Sequence, residues 1–291
     1  MLSELDYISD LHIDNYIKEI DVDENNHSNI IQHFNTIFFN KDKGKRKILI
    51  IAGDFANKNK FTFFALRVLE KYYYDLIIFV LGNHDYFVSK KEIDNGTYKD
   101  SFDRIQEVKD FVANSQSLFY LDGDIIEVEG VKIGGCNSWY DGSFAYHYAK
   151  HFVMDEMTIN NLWKSFMPDA KAIKGIQDYK TIFNKEINKI DKIYDKIDIM
   201  ITHVNPSFKK EHLSPRYRHF ETNAFWGFNG HRFLMDGNIK YWFFGHTHED
   251  IEYEKNGVSV LANPVGYPAE IENKLRFEDS IVKTLKINIE K

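Results

Sequence analysis

Four short runs in this chain are mostly apolar: KILIIA at 47–52, LIIFVL at 76–81, IDIMIT at 197–202 and KYWFF at 240–244. A strand with one wet face alternates apolar and polar residues, so near-continuous runs of this length fit strands covered on both faces. Each run breaks off abruptly into polar, Gly- or His-containing sequence. Helical patterns lie between them. FTFFALRVLEKYY at 61–73 is one, and DRIQEVKDFVANS at 103–115 sets Ile105, Val108, Phe111 and Val112 along one face. The segment 181–197 carries Ile182, Phe183, Ile187, Ile190, Ile193 and Ile197 as a third stripe, and all three read as core faces. Two hairpins are expected, IIEVEGVKIGG at 125–135 turning at Glu129-Gly130, and IEYEKNGVSVLA at 251–262 turning at Asn256-Gly257. Strands alternating with helices, then hairpins, imply an α/β fold of mixed sheets flanked by helices. In such folds ligands bind beyond the carboxyl ends of strands, which is where the polar clusters fall.

Composition permits this fold and narrows the partners. The 291 residues, 43% hydrophobic and 15% aromatic, are ample for a packed core. No repeat, proline-rich linker or low-complexity block divides them, so residues 1–291 are read as a single domain. The longest apolar stretches fall far short of the roughly 20 residues a membrane helix needs. The start, MLSELDYISDLH, has carboxylates where a secretory signal would carry basic residues, and the expected location is cytoplasmic, with no membrane partner. Cys136, the one cysteine, can form neither an internal disulfide nor a thiolate cage and reads as a small buried hydrophobe. A net charge of -7 without a long basic stripe argues against nucleic acid as a partner. Positive charge for a phosphate-ester substrate would have to be supplied locally, as a bound metal does.

Five segments share one grammar, an apolar run followed by metal-ligand residue types. They are YISDLH (Asp10, His12), IIAGDF (Asp54), VLGNHD (Asn83, His84, Asp85), MITHVN (His203) and GHTH (His246, His248). Taken singly, an Asp after a strand is usually a cap or turn former, and a lone His a hydrogen-bonded core or surface residue. Together, five of the twelve histidines sit just past apolar runs beside three carboxylates and an asparagine, which points to a metal site. Carboxylate, amide oxygen and imidazole without thiolate suit Mn²⁺, Fe or Zn²⁺ at five or six coordination. There are too many ligands for one ion. With a carboxylate such as Asp54 able to bridge, they divide between two metals roughly 3.5 to 4 Å apart, the arrangement used to hydrolyse phosphate esters. GHTH would then hand one imidazole to each metal. Residues at i and i+2 share a face in an extended chain but not in a helix, so the motif is expected on a loop or strand end.

The ordered series D-x-H, GD, GNHD, TH and GHTH, from residue 10 to residue 248, resembles the calcineurin-like metallophosphoesterase superfamily. LANPVGYP at 261–268 is similar to a segment that many bacterial members carry after GHTH. The resemblance implies a four-layer α/β/β/α sandwich of two mixed sheets flanked by helices, with a dinuclear site at the strand ends. Carried over, it implies that Asp10, His12 and His248 bind one metal, that Asn83, His203 and His246 bind the other, and that Asp54 bridges both. It places His84 facing the substrate, stabilising phosphoryl oxygens or protonating the leaving oxygen. The implied nucleophile is a metal-bound hydroxide.

Two departures qualify the resemblance. Ser/Thr protein phosphatases of the superfamily typically read GDxxDR, whereas residues 53–58 read GDFANK. Asn57 can still hydrogen-bond His84, but as an amide, and Lys58 lacks the bidentate fork of arginine. In NPVGYP, Val265 stands where related bacterial sequences often have arginine, removing a second phosphate contact. Substrate choice is expected from loops. Residues 139–157, with His147 and His151, read first as packing aromatics under a helical cap and second as substrate contacts. Residues 207–233 carry Lys209, Lys210, Arg216, Arg218, His219 and His231; a solvated basic loop is the plain reading, with Arg216 or His219 as candidates to hold a phosphate. The function expected is a metal-dependent phosphoesterase acting on a phosphomonoester or phosphodiester of a small molecule, nucleotide or phosphoprotein. A protein phosphatase, disfavoured by GDFANK, and a non-catalytic scaffold of the same fold are the alternatives. The sequence leaves the oligomeric state open.

Overall fold

The computed structural model describes residues 2–38, 46–148, 155–214, 221–236, 238–275 and 281–289. The strands within them are β1 (Glu4–Ile8), β2 (Arg46–Ala52), β3 (Tyr74–Val80), β4 (Leu118–Tyr120), β5 (Asp124–Val128), β6 (Val131–Gly135), β7 (Ile199–Ile201), β8 (Tyr241–Phe244), β9 (Glu252–Lys255), β10 (Val258–Ala262) and β11 (Lys283–Lys286). They form two mixed sheets, ordered β11-β1-β2-β3-β4 and β5-β6-β7-β8-β10-β9. In the first, β1 to β4 run parallel and β11 pairs antiparallel with β1. In the second, β6, β7, β8 and β10 run parallel, and each outer strand joins by an antiparallel hairpin.

The four apolar runs are the central strands β2, β3, β7 and β8, and both of their faces are covered. Alternate residues serve two cores, as the period of a strand requires. Ile48, Ile50, Ile78, Val80, Ile199, Ile201 and Phe243 lie in the core between the sheets, with Tyr7 and Phe243 rings 4.9 Å apart. Leu49, Ile51, Ile77, Phe79, Met200, Trp242 and Phe244 face the opposite way, into the core shared with the helices. The sheets close tightly at Gly135, where an added Cβ would stand 3.0 Å from Val80 Cγ1. The result is the four-layer sandwich of helix, sheet, sheet and helix.

The helical stripes form where expected, with ends shifted by their caps. The first runs Asn59–Tyr72 and packs on β3. The second, Ser101–Val112, begins two residues ahead of the apolar pattern because Asp100 accepts N–H bonds from Phe102 and Asp103. The third, Tyr179–Ile193, is capped by Asp178 and gives way to a 3-10 turn at Tyr194–Lys196, so Ile197 belongs to the approach to β7. Both hairpins turn at the named pairs, with φ of 49° and 86° at Glu129-Gly130 and 52° and 78° at Asn256-Gly257. Cys136 is buried and unpaired. Among the described residues no helix is long and apolar enough to cross a membrane.

In the 139–157 segment Trp139, Tyr140 and Phe144 are buried, which bears out packing for those aromatics, while His147 rests edge-on against Phe208. His151 lies outside the described residues, as do Arg216, Arg218 and His219. His231 is exposed on the helix His231–Asp236, and the Lys210 ammonium lies 4.8 Å from the Tyr148 ring centre.

Candidate metal centre

The loops leaving β1, β2, β3, β7 and β8 meet at one end of the two sheets and bring the nine residues of the sequence grammar together. Asp10, His12, Asp54 and His248 place ligand atoms within 4.8 Å of one another. His12 Nε2 lies 3.0 Å from His248 Nε2 and 3.8 Å from Asp54 Oδ2, and His248 Nε2 lies 3.5 Å from Asp10 Oδ1. A second group adjoins it. Asn83 Oδ1 is 3.1 Å from His203 Nε2 and 3.0 Å from His246 Nδ1, and His203 Nε2 is 3.3 Å from Asp54 Oδ2. The same Asp54 oxygen therefore borders both groups.

The local backbone is unusual. Asp10, His12, Asp54, His246 and His248 have φ of 53°, 42°, 58°, 70° and 50°, a region costing about 1 kcal/mol or more for a residue with a Cβ. Hydrogen bonds between loops hold these turns: Asp10 N–H donates to Gly53 O, His12 N–H to Asp54 O, and His246 N–H to the Asp10 carboxylate. GHTH is a loop as expected, but its imidazoles converge through left-handed turns, not through an extended chain. Gly82 leaves room at the centre, since a Cβ there would fall 2.2 Å from Asp54 Oδ1.

Partners outside the cluster decide which atom of each ligand faces inward. His203 Nδ1 is 2.8 Å from Ala52 O, His246 Nε2 is 2.8 Å from Phe225 O, and His248 Nδ1 is 2.9 Å from Glu270 Oε2. Carbonyl and carboxylate oxygens only accept, so each of these nitrogens carries its hydrogen outward and turns the other inward, the usual support for metal-binding histidine. Asn83 Nδ2 donates to Asp169 Oδ1 at 2.8 Å, which turns Asn83 Oδ1 inward. Tyr140 donates its hydroxyl hydrogen to the other Asp169 oxygen, and Trp163 Nε1 donates to Tyr140. Asp169 and Glu270 are absent from the sequence grammar. Glu270 at least stands at capping-box spacing after Tyr267, whereas no pattern marks Asp169.

The donor set suits divalent cations: two carboxylates, one amide oxygen and four imidazoles, without thiolate. Burial keeps His12 well below the usual imidazole range and pushes His246 down to about 3, so both stay in the neutral form that coordinates metal. Burial works against charge on Asp54, but the neighbouring His203, His84 and His12 outweigh it and hold that carboxyl well below its usual range. Asp85 serves otherwise. Its buried carboxylate accepts N–H bonds from Gly82, Asp54, Phe55 and Ala56, tying two loops together, and burial followed by the Asp54 charge pushes it up to about 7.

His84 lies beside the cluster with its ring edge-on to His12, centroids 4.7 Å apart. Its backbone N–H donates to Asp54 Oδ1, its Nδ1 is 2.9 Å from Asn57 Oδ1, and its Nε2 has no partner among the described residues. Lys58 ion-pairs with Glu19, and Val265 is buried with its N–H donating to Ser9 O. Tyr267 stacks on His12 at 4.6 Å, and Trp226 lies 5.0 Å from His246.

A family model described as calcineurin-like phosphoesterase matches residues 5–250. Among solved structures the chain is similar in fold to the phosphopantetheinyl hydrolase of Mycobacterium tuberculosis, with a TM-score of 0.69 and 16% identity, covering 97% of this chain and 95% of that one. An uncharacterized protein of Acanthamoeba polyphaga mimivirus is 25% identical over 287 residues, 92% of this chain and 93% of its own length.

Proposed function

The chain belongs to the calcineurin-like phosphoesterase family and is a metal-dependent hydrolase of phosphate esters; within that class we propose a dinuclear enzyme for mono- or diesters of small molecules, built on one domain. Asp10, His12 and His248 would hold one cation, Asn83, His203 and His246 the other, and Asp54 both. What supports this division is the single Asp54 oxygen 3.8 Å from His12 Nε2 and 3.3 Å from His203 Nε2. Bound there, two Mn²⁺, Fe or Zn²⁺ ions would supply Lewis acidity toward the phosphoryl oxygens and lower the pKa of water.

The chain's own residues do the rest. The outward hydrogen bonds of His203, His246, His248 and Asn83 keep the donors aimed before any ion arrives, and the left-handed turns fix their spacing. His84, whose Nε2 beside the cluster is unengaged among the described residues, would give the leaving oxygen its proton. A protein-phosphatase reading has less support, because Asn57 and Lys58 replace the charged pair of GDxxDR and Lys58 is taken up by Glu19. A scaffold reading has less still, since every donor and His84 are present.

The test is hydrolysis of chromogenic mono- and diesters by metal-stripped protein given Mn²⁺, with bound metal counted in the same sample. Turnover with close to two ions per chain is expected. Two bound ions without turnover would overturn catalysis, and a single ion at saturation would overturn the dinuclear site.

A further inference from the structure

We propose that Asp14 is a positioning residue for His84, acting through Asn57 to fix which ring nitrogen of His84 faces the phosphate ester. The proposal rests on the reading that His84 protonates the leaving oxygen. Asp14 Oδ2 receives two donors from Asn57, the backbone N–H at 3.2 Å and side-chain Nδ2 at 2.8 Å. A carboxylate can only accept, so the amide NH₂ must face Asp14 and the amide oxygen must face the other way. There Asn57 Oδ1 lies 2.9 Å from His84 Nδ1. An amide oxygen also only accepts, so Nδ1 must carry the ring's own hydrogen, and Nε2 is the nitrogen that takes up a second proton from solvent and hands it to the leaving oxygen, the ring returning to the Nδ1–H form.

Among the described residues nothing else in this row dictates its polarity. Asparagine oxygen and NH₂ are nearly the same size, so without Asp14 the amide can turn over, present its NH₂ to Nδ1 and favour the opposite tautomer. The backbones at both ends are already fixed. Arg104, buried on the helix Ser101–Val112, donates through Nη1 to Asn57 O at 2.8 Å and to His84 O at 3.2 Å. Asp14 itself sits in a 3-10 turn whose Ile13 N–H donates to Phe55 O. The amide rotation of Asn57 is thus the freedom that remains, and Asp14 removes it. The departure at GDFANK leaves a carboxylate acting on His84 at one remove.

The tautomer can be read directly from ¹⁵N-histidine spectra of the full chain loaded with diamagnetic Zn²⁺, with His84 assigned by loss of its signals in His84→Gln. The parent should show neutral His84 as the Nδ1–H form, and a neutral Nε2–H form there overturns the proposal without any further variant. Asp14→Ala should shift His84 toward Nε2–H, whereas Asp14→Asn, which keeps an acceptor oxygen, should largely retain Nδ1–H. In the Mn²⁺-loaded protein Asp14→Ala should lower kcat on an alkyl phosphate by about 10- to 100-fold with KM and metal content unchanged. An aryl phosphate should lose less, and Asp14→Ala should cost nothing further in an Asn57→Ala background. An unchanged tautomer in Asp14→Ala, loss of metal, or full additivity with Asn57→Ala overturns the relay. If the tautomer shifts while alkyl and aryl esters slow equally, the positioning stands and the proton-donor role of His84 fails.

Discussion

Asp54 stands where the two groups of donors meet. Its Oδ1 accepts the His84 N–H, its Oδ2 borders both groups of imidazoles, and its own N–H is held by Asp85. Asp54→Asn keeps the shape but removes charge from both cation positions, so activity should vanish and metal content should fall at both. Retained activity at normal metal content would take Asp54 off the bridge. His84→Ala should behave oppositely, because no ring atom of His84 lies within the ligand cluster. Metal content and fold should persist while kcat falls by roughly 10² to 10⁴, the usual worth of a positioned proton donor. The loss should be greatest for esters with poor alkoxide leaving groups and least for nitrophenyl esters. Loss of metal, or an equal loss on all esters, would make His84 a ligand or an electrostatic clamp.

At the scale of elements, the strands supply position and the loops supply geometry. The strands were readable because burial on two faces makes their sequence continuous in hydrophobicity, and the helices because their stripes repeat. The donors were readable because each stands directly after such a run. What could not be read is how the loops turn. The left-handed φ of Asp10, His12, Asp54, His246 and His248 is imposed by bonds from other loops, and the Asn83–Asp169 and His248–Glu270 contacts join residues 86 and 22 positions apart. Asp85, a metal-ligand residue type in VLGNHD that the resemblance gives no metal, knots the β2 and β3 loops by their N–H groups. Asp85→Ala leaves four N–H groups in a dry site without an acceptor and should lower stability by about 3 kcal/mol or more, read as a shifted urea midpoint. An unchanged midpoint would mean that other contacts hold the loops.

For the whole molecule, burying two carboxylates among four imidazoles without a cation is costly, and binding metal to the folded state alone relieves it. At metal near 1,000 times its dissociation constant each ion would add about 4 kcal/mol. Chelation should therefore lower the unfolding temperature, on the order of 10 °C for a chain of this size, and Mn²⁺ should restore it. No shift on chelation of loaded protein would argue that the folded and unfolded chains bind metal alike. The donors come from strands of both sheets, and β1, which leads to Asp10 and His12, is edged by β11 at Lys283–Lys286 while Asp10 accepts the His246 N–H. Asp10 and His12, made early during synthesis, thus wait for a partner 236 positions further along the chain. A site whose donors come from both sheets can hold an ion only once those sheets have docked, so metal capture would follow the docking of the sheets and not start it.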